Sequence, residues 1–344
     1  MKSEISKFVK VTRKAISSSQ ELVKTEFSNS PKNFLMVIKP TIKGLDPIAW
    51  GIENKATIEK NLLQYGAILF RNFDITTVDR FEQFITATCQ PALEYKYRAS
   101  PRTQVGGRIY TSTDYPADRS IFPHNEHSYS PTFPLRILFF CATPAQQGGE
   151  TPIGRCRSIL QQIDGDIQKR FHQKKIMYLR NFGDGFGLPW QTVFQTTDKA
   201  KVEAYCRQNN IQWEWKSKER LRTKQVGSAF VSHPQTKEKL WFNHATFFHV
   251  STLQPQVRDA LFSGFKEEDL PTNTYYGDGS PIEASVLEHL RNVYQQEMMT
   301  FSWQQGDVLL LDNMLAVHGR YPYQGDRKIL VGMAQAINSQ DVVI

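Results

Sequence analysis

The stretch HNEH at residues 124–127 puts two imidazoles and a carboxylate within four positions. In an extended segment, residues i and i+2 project to the same side. His124 and Glu126 would then share a face, with Asn125 opposite. One imidazole and one carboxylate on a face can hold a divalent ion. A third imidazole would complete a facial set with open positions, the arrangement that suits non-haem iron(II) and dioxygen chemistry. Alone, the pair is a weak signal, because many solvated turns contain it. His127 has the wrong parity for that face and reads as a supporting or structural residue. Among the eight histidines, His318 is the best third donor. It follows the apolar run VLLLDNMLAV and precedes GRYP, where a core strand opens into a loop.

Arg327 lies nine residues after His318, just ahead of the strand-like KILVGMA. A guanidinium beside a metal suits a dicarboxylate co-substrate, which its planar fork can clamp at two points. Thr151, in GGET, would add a hydroxyl after a tight Gly-Gly turn. Arg320 competes with Arg327 for the co-substrate, or contacts substrate. Asn243 and His244, in WFNHATFFHV, are candidates for the pocket wall, although a packed histidine reads as well at 244. Asp312 is expected to cap a turn by hydrogen-bonding backbone. His249 reads as a core residue, and His172, His233 and His289 as surface groups.

These residues need a strand framework. GAILFRNF (66–73), LRILFFCAT (135–143), GDVLLLDN (306–313) and ILVGMAQAI (329–337) read as buried strands. Helices are expected over 58–66, over 76–89 with a threonine cap, as a pair broken at Gly165, and over 281–298. Residues 91–123 read as polar loop and 181–256 as short β runs and turns. Residues 1–35 form a polar segment with some helical character, ahead of a single domain over 36–344. With many short strands and no βαβ rhythm, the class is mainly β with helical inserts, a sandwich or jelly-roll barrel.

The 344 residues, 40% hydrophobic, suffice for a real core. Net charge is +8, but residues 1–60 hold 11 basic and 6 acidic residues, so most of the excess sits there. That distribution, with no recognition motif, argues against a nucleic-acid surface. No apolar run reaches the length of a membrane span. The four cysteines lack CxxC spacing and read as free thiols. The lysine-rich start carries Glu4 and Glu21, unlike a transit peptide, and we expect a cytoplasmic protein.

HNEHSYSP, PAQQGGETPI and DNMLAVHGRYPYQGDRK, in this order, resemble the TauD/TfdA superfamily of Fe(II)/2-oxoglutarate-dependent dioxygenases. The similarity spans roughly residues 60–338. The His-x-Glu form resembles clavaminate synthase-like members, and the flanking words are similar to SyrP-like amino-acid hydroxylases of nonribosomal-peptide pathways. The resemblance implies a distorted double-stranded β-helix. It implies iron(II) held by His124, Glu126 and His318, and 2-oxoglutarate held by Thr151 and Arg327. The implied reaction couples decarboxylation of 2-oxoglutarate by O2 to hydroxylation of an unactivated C–H, releasing succinate and CO2. An amino acid, free or tethered to a peptidyl carrier protein that docks on the basic N-terminal segment, is the expected substrate. Desaturation or cyclisation at the same iron, and a catalytically silent jelly-roll binding protein, stay open.

Overall fold

The computed structural model describes residues 22–27, 32, 34–94, 101–183 and 188–344. Its backbone is an eight-stranded sheet in the order Val23–Phe27, Leu35–Pro40, Ala67–Phe70, Val308–Asp312, Thr132–Thr143, Lys328–Asn338, Ile109–Thr111, Gln104–Gly106. Leu35–Pro40 and Ala67–Phe70 pair in parallel and the other neighbours are antiparallel. The near-continuous apolar runs of the central strands follow from burial on both faces, since successive side chains alternate sides. Ile68, Phe70, Leu138, Phe140 and Leu310 face one way, against Trp50, Ile58, Leu62, Phe81, Phe84 and Ile85 of the helices Pro47–Glu53, Lys55–Tyr65 and Val78–Thr88. Leu69, Ile137, Phe139, Leu309, Leu311 and Val331 face the other way, where Ile153 and Ala316 of a second sheet meet them.

That second sheet has three strands, Ile121–His124, Ala316–Arg320 and Ile153–Arg155, with Ala316–Arg320 in the centre. The two sheets form the jelly-roll core expected from the strand pattern. A four-stranded insert, Gln212–Trp215, Leu221–Gly227, Ile176–Phe182 and Thr272–Tyr276, builds out from it. Among the described residues, no helix is long and apolar enough to cross a membrane.

The expected helices form, with Thr77 capping Val78–Thr88 by accepting from Arg80 N–H at 3.2 Å. The expected pair divides just before Gly165, where the Asp164 side chain caps Gly165–Lys174. Residues 91–123, read as polar loop, supply the short strands Gln104–Gly106 and Ile109–Thr111 to the large sheet and Ile121–His124 to the second. Three further points differ. Residues 181–256 also contain the helices Trp190–Phe194 and Lys199–Gln208. The second was signalled by Asp198, its N-cap, and by Val202 and Cys206, one turn apart and buried. Val23–Phe27 is a strand at the sheet edge, so the framework begins within the segment read as polar with some helical character. Most of residues 1–30, including the expected docking segment, lies outside the described residues.

His233 is the third difference. It is fully buried, and its Nε2 lies 3.0 Å from Asp312 Oδ2. Asp312 also pairs with Arg136, which reaches Glu59 at 2.6 Å. Burial raises the Asp312 carboxyl, and Arg136 and His233 more than reverse this, holding it below its ordinary value. Removing one partner of a buried pair strands the other charge. Arg136→Met should therefore lower unfolding free energy by about 3–5 kcal/mol, read by urea denaturation. A change below about 1 kcal/mol would mean that His233 and the backbone satisfy Asp312 without the pair.

Candidate active site

His318 and His124 sit directly opposite each other in antiparallel register, the first central and the second on a neighbouring strand. Glu126 follows as the chain leaves its strand. Its Oε2 lies 4.0 Å from His124 Nε2 and 3.9 Å from His318 Nε2. The ligand atoms of the three residues all fall within 4.8 Å of one another, and among the described residues no other group of histidines, cysteines and acids converges in this way. The i, i+2 reasoning placed Asn125 opposite, and its amide does point away, donating to the Asn313 carbonyl at 2.6 Å.

The turn read as a cap does more than cap. Asp312 Oδ1 accepts from Met314 N–H at 2.9 Å and Leu315 N–H at 3.1 Å. The Asn313 side chain grips Glu126 from both sides: Oδ1 accepts from its N–H at 2.7 Å, and Nδ2 donates to its carbonyl at 2.9 Å and to the Pro134 carbonyl at 2.8 Å. His124 is oriented by its own backbone. Nδ1 lies 2.9 Å from the Phe122 carbonyl, so the proton sits on Nδ1 and the Nε2 lone pair faces Glu126. Its ring stacks on Phe247 with centroids 4.2 Å apart.

Burial pushes His124 and His318 below the usual imidazole range and keeps them neutral, as metal ligands must be. Burial alone would raise the Glu126 carboxyl. Arg102, then His127, His124 and His318, reverse this and bring it down to about 2. The donor set is two neutral imidazoles and one carboxylate, which fits iron(II).

Thr151 and Arg327 line one narrow cavity together with His124 and His318. The Thr151 hydroxyl oxygen accepts from Trp303 Nε1 at 3.1 Å, which leaves its own proton to donate. Arg327 Nε donates to the Gly149 carbonyl at 3.0 Å, and among the described residues no carboxylate pairs with its guanidinium. Burial, with Arg320 nearby, pushes Arg327 down to about 10. The Gly148–Gly149 turn allows this approach. Both residues have positive φ, and a Cβ on Gly149 would stand 2.9 Å from Arg327 Nε.

Arg320 borders the same cavity, but its guanidinium is taken by the carbonyls of Tyr115, Pro116 and Arg119 at 2.9, 2.5 and 2.7 Å. It fastens a loop over the site rather than waiting for a ligand. Asn243 and His244 line neither cavity beside the histidines. Asn243 ties its own turn to the Ala229 carbonyl at 3.0 Å, and His244 packs behind His124, with Nδ1 2.5 Å from Ser128 Oγ. His127, at positive φ, sets Nε2 3.5 Å from Glu126 Oε1, and it borders a second, far larger cavity of about 770 Å³. Phe133, Val193, Phe194, Tyr205 and Met333 form part of its wall.

The profile of one family, described as Taurine catabolism dioxygenase TauD, TfdA family, matches residues 32–334. The chain belongs to the TauD/TfdA family. The family is one of Fe(II)/2-oxoglutarate-dependent oxygenases, so this TauD/TfdA enzyme uses iron(II), 2-oxoglutarate and O2. The dapdiamide synthesis protein DdaC of Enterobacter agglomerans is 40% identical over 280 residues, 81% of this chain and 85% of that protein. A clavaminate synthase-like protein of Arabidopsis thaliana is 27% identical over 293 residues, 82% and 85% of the two chains. PvcB of Pseudomonas aeruginosa, an Fe, alpha-ketoglutarate dependent oxygenase from an isonitrile synthetic pathway, shares the fold with a TM-score of 0.54 at 14% identity, over 96% of each chain.

Sequence reading missed Asn313, Trp303 and Arg102, whose Nη2 donates to Glu126 Oε2 at 2.8 Å. None carries a spacing signal, since each acts through a contact between distant segments. Asn313→Ala should cut metal affinity about 10–100-fold, the usual effect of losing a group that orients a ligand, as read by calorimetric titration with Mn(II). Unchanged affinity would show that the strand pairing of His124 and His318 alone positions Glu126.

Proposed function

We propose that this enzyme hydroxylates an unactivated C–H of an amino acid in the assembly of a natural product, with the amino acid carried on a peptidyl carrier protein. His124, Glu126 and His318 hold the iron, and Thr151 and Arg327 hold 2-oxoglutarate. The observation that carries the reading is a pair of cavities, one lined by His124 and His318, the other bordered by His127, the neighbour of Glu126 in sequence. The narrow one has a hydroxyl and a guanidinium that no carboxylate pairs with among the described residues, suited to a small dicarboxylate. The other, at about 770 Å³, would be left largely empty by a free amino acid and has room for an extended, tethered one. The relationship to DdaC, whose name places that protein in dapdiamide synthesis, supports the biosynthetic setting.

The chain's own residues divide the work. When bound, iron with O2 and 2-oxoglutarate supplies the oxidant, and the keto acid leaves as succinate and CO2. Arg327 and Thr151 anchor one end of the co-substrate, the guanidinium by a charge-assisted fork and the hydroxyl by a single donated hydrogen bond. Arg320 closes the 115–119 loop over this side and limits water. The wall formed by Phe133, Val193, Phe194 and Met333 places the C–H to be cleaved and keeps competing groups away.

Incubation with Fe(II), 2-oxoglutarate, O2 and candidate amino acids, free and carrier-bound, tests the reading by mass spectrometry. One added oxygen on the carrier-bound amino acid, matched by one succinate, is the expected result. Efficient turnover of a free amino acid with no gain from the carrier would overturn the tethered part, and loss of two hydrogens would favour desaturation. His318→Ala should abolish succinate formation with the far-ultraviolet circular dichroism unchanged; near-normal turnover would remove His318 from the ligand set. Arg327→Ala should weaken 2-oxoglutarate binding by about 2–5 kcal/mol, seen as a raised KM. Arg327→Lys should rescue only part, since a point charge lacks the fork. A larger KM effect from Arg320→Ala than from Arg327→Ala would exchange the two roles.

A further inference from the structure

Among the described residues, Arg102 is the only lysine or arginine in ion-pair contact with Glu126. Both side chains are almost fully buried, at 3% and 5% exposure. The oxygen that Arg102 holds, Oε2, is the one that faces the Nε2 atoms of His124 and His318. The other oxygen, Oε1, stands beside His127 Nε2 at 3.5 Å. Oε2 is therefore held by a hydrogen bond, while Oε1 has an imidazole packed close beside it. The arm that carries Arg102 is also fixed. Asp114 N–H donates to the Pro101 carbonyl at 3.1 Å, Thr111 N–H to the Thr103 carbonyl at 2.8 Å, and Thr103 N–H to Thr111 Oγ1 at 2.9 Å.

A glutamate reaches one methylene further than an aspartate, and a carboxylate free to turn can place both oxygens on one cation. A chelating Glu126 would fill a position that a two-point keto acid and O2 need between them. We propose that Arg102 is a positioning residue that keeps Glu126 a one-oxygen ligand. Its planar guanidinium, hydrogen-bonded to Oε2, holds that oxygen toward the two imidazoles while the His127 ring crowds Oε1 from the other side, so a single oxygen meets the ion. The inference rests on the assignment of His124, Glu126 and His318 as the iron ligands. It also gives a purpose to Arg102's place in the narrow cavity, whose wall it shares with Thr151 and Arg327.

The test counts water molecules on Mn(II) bound in place of iron, without 2-oxoglutarate, from the broadening of the electron paramagnetic resonance lines in ¹⁷O-enriched water. Arg102→Gln should bind one water fewer than the wild type, because the freed carboxylate chelates. Its affinity for 2-oxoglutarate should fall about 10–100-fold. Arg102→Lys keeps the charge but cannot fix the plane, so it too should lose a water. It carries the test if Arg102→Gln does not fold. Equal water counts in the wild type and a folded, Mn(II)-loaded variant would overturn the proposal. If the wild type fails to bind one Mn(II) per chain, the ligand assignment itself fails, which is a separate outcome.

Discussion

One side-chain amide holds the candidate iron site together. Asn313 occupies a turn between two strands that belong to different sheets, Val308–Asp312 in the large one and Ala316–Arg320 in the small one. From there it takes both the N–H and the carbonyl of Glu126. A backbone segment leaving a strand has polar groups to satisfy, and a buried one left open costs about 1–3 kcal/mol. The chain satisfies this demand with the residue that precedes the His318 strand. Two ligands far apart in sequence are thereby linked through a few covalent bonds and two hydrogen bonds. Asp312, neutralised by Arg136 and His233, keeps the turn in place beneath them.

The electrostatics of the two sides differ, and the difference is functional. The Glu126 side is already balanced, with Arg102 offsetting the carboxylate before any metal arrives. The Arg327 side is less balanced, since burial and the neighbouring Arg320 outweigh the distant pull of Glu150, and among the described residues no carboxylate makes an ion pair with its guanidinium. A site with one compensated anion and one cation without an ion-paired acid is left net positive, which favours an anionic co-substrate on the Arg327 side.

The sequence made the strand framework legible because burial on both faces leaves apolar runs such as VLLL and AILF. The convergence of His124, Glu126 and His318 was legible because the i, i+2 rule and a histidine at a strand mouth are local signals. Arg320 and His233 misled for one reason. Each has a short-range context that suits the surface or a ligand, while its real partners, the carbonyls of 115–119 and Asp312, lie far away along the chain. Arg102 was hidden in a polar loop with no periodicity, and a guanidinium there is indistinguishable from a solvated one until the fold brings Glu126 to it. The helix Lys199–Gln208 was masked by the turn-rich segments around it, although its cap and its one-turn apolar pair were present.

The wall of the large cavity draws Val193, Phe194 and Tyr205 from the insert, whereas His124, His318, Thr151 and Arg327 belong to the two sheets or their edges. On the proposed reading, residues 188–208 shape part of the substrate wall without supplying any residue of the candidate iron site, and Phe133 and Met333 of the large sheet complete that wall. Drift in residues 188–208 can remodel what is admitted while the oxygen-activating apparatus stays as it is. Descendants of such a scaffold can diversify by exchanging one peripheral module, and a new specificity need not be preceded by a loss of chemistry.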